Sequence, residues 1–418
     1  MKTSVSRILA PLTAFAVAAS LSACGDSAES STASVTVWMY PVIADEQANT
    51  AYWAQIEKDF EAANTNTDLK VEQQPWAKRD EKLAAAFSGG KGPDVLLLNP
   101  DQIPQYVKNG SLAPVDKVVE PAKDSFLPNA LSALTVDGKV YGAPIYHTVT
   151  TTLYNKKLLD KAGITTPPQT WEEIKAAAPK LKAAGVATLD YSASPEATLN
   201  LNFYPLLWQA GGSVFSEDGQ KAAFNGPEGV EALTFLTSLY SAGAIPKSSL
   251  TNGNVIADQA LGKQQVAMGF TNTPADAKTV ASTWGAGNVI VGKPLQGKKQ
   301  VGFGLPGGLA INAGSKNIAA AEKFLGFMIE PEQLIALGTA SGFLSPRTDA
   351  KVPAKDPQAQ QFSDALEFAF PGEPNPAARQ VMSLLAAEIQ AALTGKKSPQ
   401  QALDAAAKQA DDLLSRQR

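Results

Sequence analysis

Short β-prone segments alternate with amphipathic helical segments over residues 35–98, and this alternation constrains the fold more than any other feature. Alternating strands and helices predict a mostly parallel sheet that is covered by helices on both sides. The last strand of the series is almost wholly apolar, which is typical of a strand buried on both faces. In chain order the predicted segments are strand 35–38, helix 52–60, strand 69–71, helix 80–87 and strand 94–98.

The same pattern resumes in the second part of the chain. A strand is predicted at 153–155, and Thr170 with Glu173 forms a capping box that starts a helix. A further helix is predicted over 227–240. Because the chain has 418 residues, which is long for one hydrophobic core, we expect two α/β domains.

Charge argues against nucleic acid as a partner. The formal charge is −4, and residues 1–23 contain Lys2 and Arg7 but no acidic residue, so the chain from residue 24 onward carries −4 − 2 = −6. A mildly acidic chain without a long basic run lacks the electrostatic footprint of a nucleic-acid-binding protein.

Cysteine and histidine each occur once, as Cys24 and His147. An intrachain disulfide and a zinc site built from these residue types are therefore excluded. We expect no metal and no cofactor. A lone histidine such as His147 is more often a packed, hydrogen-bonded residue than a ligand.

The N-terminal segment predicts the compartment. Lys2 and Arg7 precede the apolar stretch 8–21, which is too short to span a bilayer and has the length of a signal-peptide core. It ends in LSAC at 21–24, which resembles a bacterial lipobox; the alternative is an ordinary cleavage site followed by a chance cysteine. We predict a signal peptide over 1–23, a lipidated Cys24 with a flexible tether over 24–34, and anchorage on the outer face of the cell membrane.

Nine different short motifs are spread over nearly the whole chain. They are GGKGPDV (89–95), VDGKVYGAP (136–144), LYNK (153–156), AGI (162–164), PPQTWEE (167–173), WQAGG (208–212), FNGPEG (224–229), GKQQVAM (262–268) and SPR (345–347). Together, in this order, they resemble the extracellular solute-binding proteins of bacterial ABC importers, in the sugar-binding branch that includes maltose-binding proteins.

The resemblance implies a two-lobed periplasmic-binding-protein fold of the Venus flytrap kind, in which the chain crosses a hinge more than once. We place the crossings near 145–150, 303–309 and 344–347. Both lobes are then discontinuous. The first comprises 35–146 with 308–345, and the second comprises 147–303 with 346–418.

The resemblance also implies a binding function rather than an enzyme. We expect a monomeric lipoprotein that captures a mono- or oligosaccharide in the interlobe cleft and delivers it to the permease subunits of an ABC transporter. A glycerophosphodiester, a glycerol phosphate or an acidic sugar is the alternative ligand. A carbohydrate-active enzyme and a sensor lipoprotein also stay open.

Ligand-binding residues are expected in loops that follow strands, because the cleft of an open α/β sheet lies beyond the carboxyl ends of its strands. The resemblance implies that Asp101 contacts a ligand hydroxyl. The predicted ligand-binding residues are Trp38, Tyr40, Trp76, Asn99, Asp101, Tyr146, Asn200, Asn202, Tyr204, Phe270, Asn272, Gly308, Phe343 and Arg379.

Structural roles stay open for several of these residues. Trp38 could cap the core beneath the sheet, residues 199–204 could form an edge strand, and Gly308 could serve only as a flexible hinge. Arg379 suits a carboxylate or phosphate, but it could equally be a helix-surface charge. Trp208 is predicted to lie in the core.

Enzyme motifs are absent or fail in context. The serine-hydrolase pattern Gly-x-Ser-x-Gly does not occur, and one histidine cannot form a two-histidine zinc motif. Residues 302–307 match Gly-x-Gly-x-x-Gly by letter, but the proline at 306 does not open a helix. A glycosidase with two distant carboxylates remains open.

Overall fold

A computed structural model of the chain describes residues 32–43, 45–76, 78–90, 92–194, 198–253, 255–354 and 357–416. The predicted signal peptide, the lipidated Cys24 and most of the tether lie outside the described residues. No helix among the described residues is long and apolar enough to cross a membrane.

The chain alternates between strands and helices throughout. The strands are β1 (Ala33–Met39), β2 (Thr67–Gln73), β3 (Val95–Leu98), β4 (Leu112–Ala113), β5 (Thr135–Val136), β6 (Lys139–Val140), β7 (Ala143–His147), β8 (Thr151–Asn155), β9 (Ala187–Leu189), β10 (Val266–Asn272), β11 (Val289–Val291), β12 (Gly302–Phe303), β13 (Pro306–Asn312) and β14 (Ala369–Phe370). The helices are α1 (Glu46–Ala63), α2 (Arg79–Ser88), α3 (Ile103–Lys108), α4 (Asp116–Val119), α5 (Pro128–Ser132), α6 (Lys156–Lys161), α7 (Trp171–Ala183), α8 (Phe203–Gln209), α9 (Pro227–Ser241), α10 (Pro274–Trp284), α11 (Ile318–Met328), α12 (Pro331–Ser341), α13 (Pro357–Asp364), α14 (Ala378–Leu393) and α15 (Pro399–Ser415).

Local signals in the sequence account for these elements. The predicted strands correspond to β1, β2, β3 and β8, and the capping box at Thr170 and Glu173 starts α7. Asp94 accepts a hydrogen bond from the Thr36 backbone N–H (2.9 Å) and another from the Ser315 hydroxyl (2.5 Å), so it ties strand ends together. Residues 199–204 form a short 3₁₀ turn and the start of α8, so the alternative of an edge strand is wrong.

The first-lobe sheet has the strand order β2-β1-β3-β13-β4, and β7 also pairs with β13. Strands β1, β2 and β3 run parallel, as the alternation predicts, whereas β13 is antiparallel to β3, β4 and β7. The chain comes back from the second lobe just before β13, so β13 starts at the edge where β1 and β3 end and runs in the opposite direction.

The second-lobe sheet has the strand order β11-β8-β10-β9. Only β9 and β10 pair in parallel; β8 is antiparallel to both β10 and β11. Strands β9, β10 and β11 thus point the same way and β8 alone is reversed, so the sheet of each lobe departs from the predicted parallel arrangement by one strand. Its helices α8, α9, α14 and α15 pack together in one large apolar cluster.

The chain passes between the lobes three times. The first passage joins β7 to β8, the second joins β12 to β13, and the third lies between Ala350, in the first-lobe core, and Phe362, in the second-lobe core. The third passage is thus later than the predicted 344–347, because residues 345–350 pack back onto the first lobe. At the hinge, His147 and Leu344 exchange two backbone hydrogen bonds (2.7 and 3.0 Å).

Candidate functional site

Several predicted site residues lie along one edge of the first lobe. Because β1, β2 and β3 are parallel, their carboxyl ends meet at the same edge, which brings the loops after Met39, Gln73 and Leu98 together. In an open α/β sheet this edge borders the ligand cleft.

An aromatic group stands at this edge. The rings of Tyr40 and Trp76 stack with centroids 4.8 Å apart, and the Arg79 guanidinium lies 5.6 and 5.2 Å from the two centroids. Trp76 is 42% exposed, whereas Tyr40 and Arg79 are buried. Burial raises the pKa of Tyr40 to about 12, so its hydroxyl stays neutral at physiological pH. The stack holds Trp76 in a fixed position with part of its ring open to solvent.

The loop after β3 reaches across to the second lobe. Asp101 Oδ2 accepts from Arg379 Nη2 at 2.8 Å, and Arg379 lies in the first turn of α14. The other carboxylate oxygen of Asp101, Oδ1, is buried and has no hydrogen-bond partner in the structure, and the same holds for Asn99 Oδ1. Unpaired buried acceptors are costly, so these atoms are ready to accept hydrogen bonds from a ligand.

A cavity opens between the lobes beside this ion pair and encloses about 360 Å³, including the open mouth. Its wall combines aromatic rings with carboxylate, amide and guanidinium groups. The lining residues are Asp101, Asn200, Tyr204, Trp208, Val214, Phe215, Pro371, Gly372, Glu373, Ala378, Arg379 and Met382. We call this space the interlobe cavity.

Aromatic residues form one wall of the interlobe cavity. The rings of Tyr204 and Trp208 are 5.9 Å apart, and Phe370 packs edge-on against Trp208 at 4.8 Å. Gly372, with φ +88°, fits against the same indole, since an added Cβ would lie 3.5 Å from Trp208 Cζ2. The Tyr204 hydroxyl is buried without a hydrogen-bond partner in the structure. Tyr204 and Trp208 are only 4% and 3% exposed, so the wall presents a small part of each ring together with an unsatisfied hydroxyl.

Glu373 supplies a buried carboxylate to the same cavity. Its Oε1 accepts from the Val214 backbone N–H at 3.1 Å. Burial raises the pKa of Glu373, and hydrogen bonds from its surroundings oppose the rise.

A second, more polar cavity of about 250 Å³ lies at the carboxyl ends of β9 and β10, entirely within the second lobe. Asp190 accepts from the backbone N–H groups of Tyr191 (3.1 Å) and Leu261 (3.2 Å), and burial raises the pKa of this carboxyl to about 6. The Asn272 Oδ1 atom is buried without a partner in the structure. The residues that line the cavity are Asp190, Tyr191, Ser192, Leu201, Asn202, Gln259, Gly269, Phe270, Thr271 and Asn272.

The structure divides the predicted site residues into four groups. Asp101, Asn200, Tyr204 and Arg379 line the interlobe cavity, and Asn202, Phe270 and Asn272 line the second cavity. Tyr40, Trp76 and Asn99 lie at the edge of the first lobe. The remaining four residues, Trp38, Tyr146, Gly308 and Phe343, line neither cavity.

Those four residues make packing contacts instead. Trp38 donates from Nε1 to Glu72 (3.0 Å) and packs on an apolar cluster of the first lobe, as its structural alternative predicts. Tyr146 is buried against the ring of Phe343, with centroids 4.6 Å apart. An added Cβ at Gly308 would lie 2.7 Å from Leu134 Cδ1, so close packing rather than ligand access accounts for this glycine.

Sequence reasoning missed other residues that line the cavities. Trp208 is in the core, as predicted, but its ring also forms cavity wall. Glu373, Met382, Asp190 and Tyr191 carry no local signal of their own. Glu373 lies in the proline-rich stretch before α14, and only its proximity in space to Tyr204 and Trp208 reveals its position in the site.

Across the described parts of the chain, no group of three or more His, Cys, Asp or Glu side chains is placed to hold a metal ion. His147 is fully buried at the hinge, with Nδ1 2.9 Å from the Thr148 carbonyl oxygen. Burial lowers the pKa of His147 to about 4, so its ring is neutral at physiological pH.

Residues 44–335 match the family described as bacterial extracellular solute-binding protein. The chain belongs to this family. The diacetylchitobiose binding protein DasA of Streptomyces coelicolor is similar to it at 28% identity over 319 residues, which cover 74% of this chain and 72% of DasA. The galactooligosaccharide-binding protein of Bacillus subtilis is 24% identical over 406 residues, 94% of each chain.

Solved structures of such binding proteins share the fold. The sugar-binding protein MalE of Xanthomonas citri matches with a TM-score of 0.80 at 23% identity, over 92% of this chain and 98% of that one. At this identity the likeness shows the two-lobed architecture alone. The interlobe cavity of this solute-binding protein thus lies where two lobes of such a fold meet.

Proposed function

We propose that this protein captures a neutral mono- or oligosaccharide in the interlobe cavity and delivers it to the permease of an ABC importer. The observation that carries the proposal is the composition of that cavity, in which Tyr204, Trp208, Glu373 and Arg379 of the second lobe meet Asp101 of the first. A sugar needs flat apolar surfaces for its C–H faces and charged or amide groups for its hydroxyls.

Unsatisfied atoms in the wall support the same proposal. Asp101 Oδ1 and the Tyr204 hydroxyl are buried without partners in the structure, and both can bond a ligand hydroxyl. The named ligands of the relatives, diacetylchitobiose for DasA and galactooligosaccharides for the Bacillus subtilis protein, are consistent with a saccharide.

Charge in the cavity favours a neutral ligand over a phosphate ester or an acidic sugar. With Asp101 and Glu373 ionised, the two carboxylates and the Arg379 guanidinium sum to −2 + 1 = −1. An anion would meet this net negative charge in a partly desolvated space, where charges interact more strongly than in water. Arg379 is already paired with Asp101 through Nη2, so the charge that it presents to an anion is largely compensated.

The proposal includes attachment to the membrane through a lipid on Cys24, so that the binding protein works beside its permease. Support comes from the sequence context of this residue at the end of an apolar segment. A lipid anchor raises the local concentration of the binding protein at the membrane without restricting closure of the lobes.

A thermal-shift screen tests the function directly, because a ligand that binds the native state adds RT ln(1 + [L]/Kd) to the free energy of unfolding and so raises the melting temperature. The purified protein is screened against mono-, di- and oligosaccharides, polyols and glycerophosphodiesters. We expect a saccharide to stabilise it and to be recovered unchanged. A response to glycerophosphodiesters alone would overturn the ligand class, and release of a hydrolysis product would overturn the binding function.

A further inference from the structure

We propose that the Asp101–Arg379 ion pair determines ligand charge: Asp101 neutralises the guanidinium of Arg379 and thereby disfavours anionic ligands in the interlobe cavity. This inference rests on the proposed function and specifies its ligand class. It follows from the position of the pair, from the surroundings of each partner and from the unused oxygen of Asp101.

The pair joins two elements that belong to different lobes. Asp101 is in the loop after β3, and Arg379 is in the first turn of α14, with 2.8 Å between Oδ2 and Nη2. The side chains are 19% and 50% exposed, and both line the interlobe cavity. A ligand held between the lobes therefore lies beside the pair.

Helix energetics do not explain the position of Arg379. A positive charge in the first turn of a helix is disfavoured by the helix dipole, and the first turn of α14 contains no acidic residue that would compensate it. The charge of Arg379 is instead balanced from the other lobe, by Asp101. This arrangement places a guanidinium in the cavity wall but keeps it neutralised.

Asp101 uses its two oxygens differently. Oδ2 holds Arg379, whereas Oδ1 is buried without a partner in the structure. A neutral hydroxyl can donate to Oδ1 and leave the ion pair intact. A carboxylate or phosphate that approached Arg379 would have to share the guanidinium with Asp101, and it would meet the negative charges of Asp101 and Glu373 in the same wall.

Substitution of Asp101 should therefore convert the cavity into an anion site. Asp101→Asn keeps the shape of the side chain, removes its charge and leaves Arg379 available to an incoming anion. Since a hydrogen bond to a charged group contributes about 1.5–3 kcal/mol, affinity for an anion should rise roughly tenfold to hundredfold.

The experiment compares glucuronate with glucose, which differ by a carboxylate in place of a hydroxymethyl group, and adds inorganic phosphate as a probe without sugar stereochemistry. Binding is measured by calorimetry at constant ionic strength. The variants are Asp101→Asn, Asp101→Asn with Arg379→Met, and the control Glu231→Gln. The control breaks an exposed ion pair with Lys298 (2.7 Å), and neither residue of that pair lines the cavity.

We expect Asp101→Asn to bind glucuronate or phosphate at least tenfold more tightly than the wild-type protein does. The Arg379→Met change should abolish the gain, and Glu231→Gln should show none. No gain for either anion in a folded Asp101→Asn protein overturns the inference, and so does a gain that survives Arg379→Met. Asp101→Ala should show the same gain in anion affinity, so the test does not depend on the folding of one variant.

Failure of the inference and failure of the proposed function give different results. If the wild-type protein binds a neutral saccharide while Asp101→Asn gains no anion affinity, only the role of the ion pair is wrong. If Asp101→Asn gains anion affinity while no neutral saccharide binds the wild-type protein, the proposed ligand class is wrong.

Discussion

Two buried groups with opposite responses to acid predict an unusual dependence of stability on pH. Burial lowers the pKa of His147 from 6.5 to about 4, and burial raises the pKa of Asp190 from 3.8 to about 6. Both groups therefore bind protons differently in the folded and unfolded states between pH 7 and pH 4.

The signs can be worked out group by group. Below pH 6.5 the unfolded chain protonates His147 while the folded protein does not, so His147 lowers the free energy of unfolding as pH falls toward 4. Below pH 6 the folded protein protonates Asp190 before the unfolded chain does, so Asp190 raises the free energy of unfolding over the same range. The two contributions oppose each other.

Their sizes follow from the pKa values. From pH 7 to pH 5, His147 should lower the free energy of unfolding by about 2 kcal/mol and Asp190 should raise it by about 1 kcal/mol, at 1.36 kcal/mol for each unit of pKa shift. Burial also raises the pKa of Glu373 and of Asp276. Those carboxyls are common to all variants, so they cancel when variants are compared.

The perturbations are His147→Asn, which retains a donor for the Thr148 carbonyl, and Asp190→Asn, which removes the titrating carboxyl. Between pH 7 and pH 5, the free energy of unfolding of His147→Asn should fall by about 2 kcal/mol less than that of the wild-type protein. That of Asp190→Asn should fall by about 1 kcal/mol more. Urea denaturation of the ligand-free protein at each pH measures both differences.

A direct check is available because the chain has a single histidine. NMR titration of selectively labelled imidazole in the untagged protein should give a midpoint near pH 4. A midpoint near 6.5, or the same pH dependence in His147→Asn as in the wild-type protein, would refute the reasoning that burial excludes the charged ring.

Three further predictions concern binding, packing and attachment. Tyr204→Phe should stabilise the ligand-free protein, since it removes a buried hydroxyl without a partner, yet weaken saccharide binding by about twofold to tenfold, as melting and calorimetry would show. Gly229→Ala should destabilise or unfold the protein, because the added Cβ would lie 1.7 Å from the Phe224 carbonyl oxygen, whereas Gly326→Ala in open space within α11 should stabilise it by up to about 1 kcal/mol in denaturant titrations. Cys24→Ser should abolish incorporation of labelled palmitate in cells and release the protein from the membrane fraction, and retained label would contradict lipidation at this residue.

The candidate site was only partly accessible to sequence reasoning. In the first lobe, Asp101 and Trp76 lie in loops after parallel strands, as expected, and their ligand-binding roles stay predictions. Tyr146 and Gly308 fall on predicted hinge segments, but Tyr146 packs against Phe343 and Gly308 packs against Leu134. A local pattern identifies a strand end or a crossing, whereas the direction of a side chain at that point depends on neighbours far along the chain.

Sequence alone determined the family, the α/β character of both lobes and the helix start at Thr170, because these depend on motif order, hydrophobic period and residues within one turn of each other. Tertiary structure decided which strands reverse direction, where the third passage runs, and that Trp208 is both core and cavity wall. It also decided that Asp101 meets Arg379. That contact joins distant parts of the chain across two lobes, and only the packing of complete lobes brings the two charges within hydrogen-bond distance.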